Sequence, residues 1–330
     1  MTPEQLKDAL ARDPHIADVD LSGIDLSGHD LSGSRFTNVL LKGANLSGAT
    51  LAGAAFQQVD LAGANLTRAK AAGATFTRVD LRAANADGAD FSGAHFNACD
   101  CSGSSFTAAQ FGRADAYGCL FTGADFSRAT LFRWTAMDTD LASAKLAGAS
   151  LRNAYLKGAN LQGQDLRSCD LTMTILDAAQ LQGANLGALA LDRTSFIGAR
   201  LDGANLAGVK GQYVALLDAQ LAQADLQGAR FEMSDASGAD FSTARADGVQ
   251  WDRSVLGKTV WQRASLKNAR FIYCDLSHAD VSGADGSRAD LSGSNGHALK
   301  QDNTRWDGAN LSGLHRTDEA LLAAEQWRAQ

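Results

Sequence analysis

Large apolar residues recur along this chain at every fifth position, and the interval holds from Leu21 to Leu311 without an insertion. Of the 59 positions reached by stepping five from Leu21, 44 are Leu or Phe and three more are Trp (Trp251, Trp261, Trp306). A second slot lies two residues before each, from Val19 to Ala309. Of its 59 members 32 are Ala, and 22 of the rest are Val, Ile, Ser, Thr or Cys. A period of five fits neither an α-helix nor a plain strand. Residues two apart on an extended segment point the same way, so both slots face inward. The residue between them faces outward and is Asp 19 times. The remaining two residues must turn a corner, and 27 of the 33 glycines stand in the second of them, where a tight turn suits glycine.

The tracts Ala44-Asn45-Leu46-Ser47-Gly48, Ala64-Asn65-Leu66, Ala159-Asn160-Leu161-Gln162-Gly163 and Ala309-Asn310-Leu311-Ser312-Gly313 follow the pattern A-(D/N)-L-x-x. In this the chain resembles the pentapeptide-repeat family. The resemblance implies an all-β fold, a right-handed quadrilateral β-helix with four repeats to each coil. It predicts about 15 coils over residues 15–313, about 70 Å of rod at about 4.8 Å per coil. Each coil buries its apolar slots only against its neighbours, so the ends need caps. Within residues 1–14, Thr2-Pro3-Glu4-Gln5 reads as a capping box with Pro at the first helical position, predicting a helix over about 3–12. Within residues 314–330, Thr317-Asp318-Glu319 opens a second helix to about 329, with Ala320, Leu321, Ala324 and Trp327 on its apolar side. Gly296 and Gln301 occupy Leu/Phe slots and Leu299 a small slot, which predicts a bulge or a distorted coil over 296–305.

Charge is mildly acidic, net −7, which argues against a basic patch for nucleic acid or an anionic membrane. The first fourteen residues are polar and no later run approaches a membrane span, so a cytoplasmic location is expected. Catalytic motifs are missing. His15, His29, His95, His278, His297 and His315 show no metal-ligand spacing, and pairs such as Asp80 and Asp100 follow from an Asp-rich outward slot. Cys99, Cys119, Cys169 and Cys274 fall in the small slot and Cys101 in a Leu/Phe slot. Cys99 and Cys119, one coil apart, could form a disulfide or, with Cys101, a thiolate site, but the register reads them as buried substitutes for Ala. The chain therefore reads as a non-enzyme without cofactor or metal.

Positions equal modulo 20 share a face. One face carries Asp20, Asp60, Asp80, Asp100 and Asp140, continued by Asp240 and Asp280. The family resemblance implies that such a stripe can mimic duplex DNA at a type II topoisomerase. Here Lys42, Arg82, Arg200, Arg263 and Lys300 dilute it far below the ~40 charges of a duplex of that length. The face containing Phe36 instead carries Tyr117, Met137, Tyr155, Ile175, Ile197 and Leu217 in outward slots, one on each of six successive coils. The adjoining corner adds Phe132, Met173, Tyr213 and Met233, then Ile272 and Tyr273. A contiguous apolar seam marks an interaction surface. The reading is a rigid non-catalytic scaffold that docks a protein partner or a second copy of itself along this seam. DNA gyrase, met by the acidic face, is the second candidate. Long loop-free arrays with helical caps and an acidic-hydrophobic tail such as Asp318-Glu319-Ala320-Leu321-Leu322 are also similar to accessory proteins of bacterial type VI secretion systems.

Overall fold

A computed structural model describes residues 1–327. Helix α1 (Pro3–Arg12) leads into short parallel strands β1 (His15–Ala17), β2 (Arg35–Thr37), β3 (Ala55–Gln57), β4 (Thr75–Thr77), β5 (His95–Asn97) and β6 (Asp115–Tyr117), then β7 (Lys210–Gln212) and β8 (Arg230–Glu232), and ends in α2 (Glu319–Gln326). Between the strands the chain forms single parallel bridges, each joining residues 20 apart. The fold is the expected β-solenoid of four repeats per turn. The described residues divide into two compact units, 1–160 with 168–174 and 161–167 with 175–330.

The five-residue period comes from backbone hydrogen bonding, and the repeat around Leu21 shows the accounting. Leu21 N–H donates to Leu40 O at 2.7 Å, Gly23 N–H to Lys42 O at 2.9 Å, and Ile24 N–H back to Leu21 O at 3.1 Å, closing the corner. On the next coil the outward Asn45 donates to Ile24 O at 2.9 Å. That leaves the first corner residue, and the Asp before the Leu supplies its acceptor: Ser22 N–H donates to Asp20 Oδ1 at 2.8 Å. The same bond recurs at Ser27–Asp25, Ala62–Asp60, Ser102–Asp100 and Ser237–Asp235. Asp and Asn hold the outward slot because their side chains complete the turn. They also bond along the ladder, as where Asn45 Nδ2 donates to Asp25 and Asn65 Nδ2 to Asn45.

Closure forces the second corner residue into the left-handed region at almost every repeat. Glycine supplies 27 of these positions and other residues 31. Ser143 and Ser168 stand at the same place without a positive φ, and their hydroxyls accept the N–H of Gly123 and Gly148, the bond a corner carbonyl accepts elsewhere.

The inward slots build the core. In unit one, Phe36, Phe56, Phe76 and Phe96 stack face to face, with ring centroids 5.2, 5.1 and 4.7 Å apart. This ladder stops at Ala116 and Ala136, where Trp134, standing in a small slot, packs against Phe111, Phe121 and Phe126. Small and large exchange places and the density is kept. In unit two, Phe231–Trp251 and Phe241–Trp261 stack at 4.3 and 4.0 Å. A Cβ on Gly286 would strike the ring of Trp306, so glycine makes room for the next coil. No bulge forms over 296–305: bridges 280–300, 285–305 and 295–315 hold the register. A Cβ on Gly296 would press on Leu314, so its small size admits that neighbour.

The two helices differ. Thr2 and Gln5 close the capping box of α1, and Leu6 is fully buried. In α2 the Asp318 carboxylate caps Ala320 and Leu321, but no residue is buried and Leu321 and Trp327 are exposed. The expected apolar side thus does not enter the core. The helix ends at Gln326, and its expected extension past 327 lies outside the described residues.

Two measurements check this accounting. Leu66→Asp, an unpaired charge in a closed coil, should cost more than about 4 kcal/mol and Asn65→Ala about 1–2 kcal/mol in denaturant melts. Ala83→Gly should stabilise by about 0.5–1 kcal/mol, since Ala83 holds φ 54°; no gain would show that the corner is not strained.

Candidate functional site: the apolar corner and the acidic ladder

The sequence places the six seam residues in one outward slot, and the structure corrects this. The inward residue of each strand is flanked by two outward columns, as in β6, where Ala116 is buried, Asp115 half-buried and Tyr117 exposed. Tyr155 stands in the first column, on the ladder Asp115–Thr135–Tyr155. Tyr117 and Met137 stand in the second, two residues further along. In unit one Tyr117 is 46% exposed, whereas Met137, Tyr155, Phe132 and Met173 are half-buried. In unit two Ile175 is in the first column and half-buried; Ile197 and Leu217 are in the second, exposed and half-buried. The seam is therefore two staggered groups, one in each unit. Register arithmetic missed the stagger because it assigned faces by repeat and not by side of the inward residue.

Further exposed apolar groups of unit two lie at the neighbouring corner. Tyr213, Met233 and Tyr273 are 50%, 38% and 68% exposed, and all three hold positive φ. Together with Arg193 and Arg253 they occupy five successive corners of one column, while the next two, Gly293 and Gly313, are glycines. In unit one the corners at the same 20-residue interval are Gly33, Gly53, Gly73 and Gly93, then Arg113, Arg133, Asn153 and Met173. The Arg193 guanidinium lies over the Tyr213 ring at 5.8 Å, and the Tyr273 ring lies over Gly293, where a Cβ would collide with it. Beside Tyr273 a cavity of about 340 Å³ is lined by Glu232, Met233, Asp252, Arg253, Arg270 and Ile272. Arg270 pairs with Asp252 Oδ2 at 3.1 Å, while the buried Oδ1 of Asp252 has no hydrogen-bond partner.

The acidic ladder of unit one reads Asp20–Leu40–Asp60–Asp80–Asp100–Leu120, and Leu40 and Leu120 are exposed among the carboxylates. Its acids serve the fold. Asp20, Asp60, Asp80, Asp100 and Asp140 each accept the N–H two residues on. Arg82 grips Asp80 at 2.5 Å and reaches Asp100 at 3.7 Å. Hydrogen bonding from the Arg82 side chain holds the Asp80 carboxyl below its ordinary range.

All five cysteines are buried free thiols. Cys99 and Cys169 donate to the carbonyls of Phe76 and Leu146, 23 residues back, as Ser104 and Thr174 do to Leu81 and Leu151. Burial pushes Cys274 up to about 12 and Cys101 well above its ordinary value; hydrogen bonding with Cys99 and burial push Cys119 up. Cys274, Cys101 and Cys119 hold their protons, while the hydrogen bond with Cys119 lowers Cys99.

One cluster escaped the sequence reading. His278 and His297 are 19 residues apart, close to one coil, and Glu325 of α2 meets both: Oε2 lies 3.1 Å from His278 Nε2 and 3.3 Å from His297 Nε2. Linear spacing hid the pair, which only the 20-residue coil brings together.

In comparisons with known proteins, a family model described as pentapeptide repeats matches residues 16–51, 44–82, 60–97, 137–172, 174–210, 215–249 and 255–295, and a second of the same description matches 86–130. No curated protein matches the chain. Among solved structures, full-length QnrB1, a plasmid-mediated fluoroquinolone resistance protein, is 20% identical over 60% of this chain and 93% of its own, with a TM-score of 0.41. HetL from the cyanobacterium Nostoc sp. strain PCC 7120, involved in heterocyst differentiation regulation, is 21% identical over 88% and 96%, with a TM-score of 0.31. A thylakoid-lumen protein of Arabidopsis thaliana is 32% identical over 33% and 66%, with a TM-score of 0.19.

Arg82→Gln should let the Asp80 carboxyl titrate at higher pH, toward its ordinary value, in carbon-detected NMR. An unmoved midpoint would show that the ion pair does not hold it.

Proposed function

The chain belongs to the pentapeptide-repeat family, and from that premise we propose that it is a non-catalytic scaffold that binds a protein partner, or a second copy of itself, through its exposed apolar corners. One observation carries the reading: five successive corners of unit two bear Arg193, Tyr213, Met233, Arg253 and Tyr273 in a backbone conformation that favours glycine. Left-handed backbone costs a non-glycine residue on the order of 1 kcal/mol. Arginine and methionine also stand at other left-handed corners, but among the described residues tyrosine does so at 213 and 273 alone. Here the large side chains face solvent, so their display gains nothing for the core. Tyr and Arg are the types that dominate interface energetics, and Met is enriched at such surfaces. At about 4.8 Å per coil the five corners span about 19 Å.

Tyr117 and Ile197 would extend the contact within their own units. The alternative in which the acidic face takes the place of DNA at gyrase has less support. Its carboxylates are engaged by backbone N–H groups and by Arg82, and Leu40 and Leu120 interrupt them.

Tyr213→Asp combined with Tyr273→Asp should leave stability within about 1 kcal/mol, since both side chains are exposed, and should abolish association. Light scattering reads self-association, and affinity capture from the native host reads a foreign partner. If the double variant associates as the parent does, the corner is not the binding surface.

A further inference from the structure

The geometry points to a divalent metal site of the zinc class at His278, His297 and Glu325, fastening α2 to the coil beneath it. The problem it solves is visible in α2 itself. The helix has eight residues, none of them buried, and a helix that short does not hold in water on its own. Its hydrogen bonds and ion pairs with the solenoid meet at one place. Asp318 N–H donates to His297 Nδ1 at 3.1 Å, Ala298 N–H to Thr317 Oγ1 at 3.2 Å, and Glu325 Oε2 faces both histidines.

The donor set suits the ion. Two imidazole nitrogens and one carboxylate are borderline-soft ligands, and three protein ligands with an open position make a tetrahedral zinc site. A tetrahedron with bonds of about 2.0–2.1 Å has edges of about 3.3 Å. The observed N···O separations of 3.1 and 3.3 Å already equal that edge, and all three ligand atoms lie within 4.8 Å of one another. The rings of His278 and His297 meet edge to face, their centroids 5.4 Å apart. His297 is buried and so held in place, whereas His278 and Glu325 are about one-third exposed. The fourth position opens into a cavity of about 780 Å³ whose walls include Lys258, His315 and Arg316. The two cations there favour water or an anion as the fourth ligand.

Metal loading changes one proton's place. Without the ion, His297 Nδ1 accepts the Asp318 N–H, so the neutral ring carries its proton on Nε2, directed at Glu325. The ion takes Nε2, that proton passes to solvent, and the ring regains one at Nδ1. Two donors, the Asp318 N–H and the Nδ1–H, would then face each other, so the Asp318 amide turns away from the ring and loses its acceptor. The Asp318 amide resonance therefore reports loading at the site itself.

The test is titration of the chelator-treated full-length chain with Zn2+ by calorimetry and with Co2+ by absorption, at pH 7.5. One ion per chain is expected, with the visible bands of tetrahedral Co2+ and no near-ultraviolet thiolate band, together with a shift of the Asp318 amide. Glu325→Gln and His278→Gln should each weaken Zn2+ binding at least tenfold. Circular dichroism confirms that each variant keeps the solenoid; should His297→Gln unfold, Glu325→Gln decides. A thiolate band, affinity unchanged in Glu325→Gln, or no binding at one equivalent would each overturn the site.

Discussion

Everything in this molecule depends on satisfying five backbone N–H groups in every five residues. Three are taken by carbonyls of the adjacent coils and one by the carbonyl three residues back. The last is taken by an Asp or Asn side chain where the outward slot supplies one. Closed in this way, a backbone with almost no long strands still leaves few orphan groups, and buried orphans are what a folded chain cannot carry in number. The period, the Asp-rich slot and the left-handed corner are three views of that one requirement.

The requirement changes the meaning of surface charge. A row of aspartates looks like a device for an electropositive partner until its carboxylates are followed to the N–H groups they accept. Once engaged there, and with Arg82 spanning two of them, the ladder is part of the scaffold. Residues that the backbone does not need are better indicators of function. Tyr213, Met233 and Tyr273 complete no turn and fill no core, yet stand where glycine would be less strained.

Packing shows the same economy. A tryptophan in a small slot is accepted because two alanines replace the phenylalanines beside it, and Gly286 yields its volume to Trp306. Such exchanges keep the core filled without shifting the register, because a solenoid can trade volume between stacked coils as well as within one.

The sequence by itself determined the repeat, the inward and outward slots, the corner and the helix at the amino end. Each is a local consequence of residues within five of one another, as in Leu21 to Gly23 or Thr2 to Gln5. It also placed Tyr213 and Tyr273 on one corner, since equal positions modulo 20 share a side. Tertiary structure alone decided three things. It separated Tyr117 from Tyr155 into different columns, because the two flanks of an inward residue look alike in a one-dimensional pattern. It left the apolar side of α2 in solvent, because burial requires a partner surface that periodicity cannot supply. And it gathered His278, His297 and Glu325, whose separations in sequence carry no motif and become a site only when a coil and a returning helix bring them within reach.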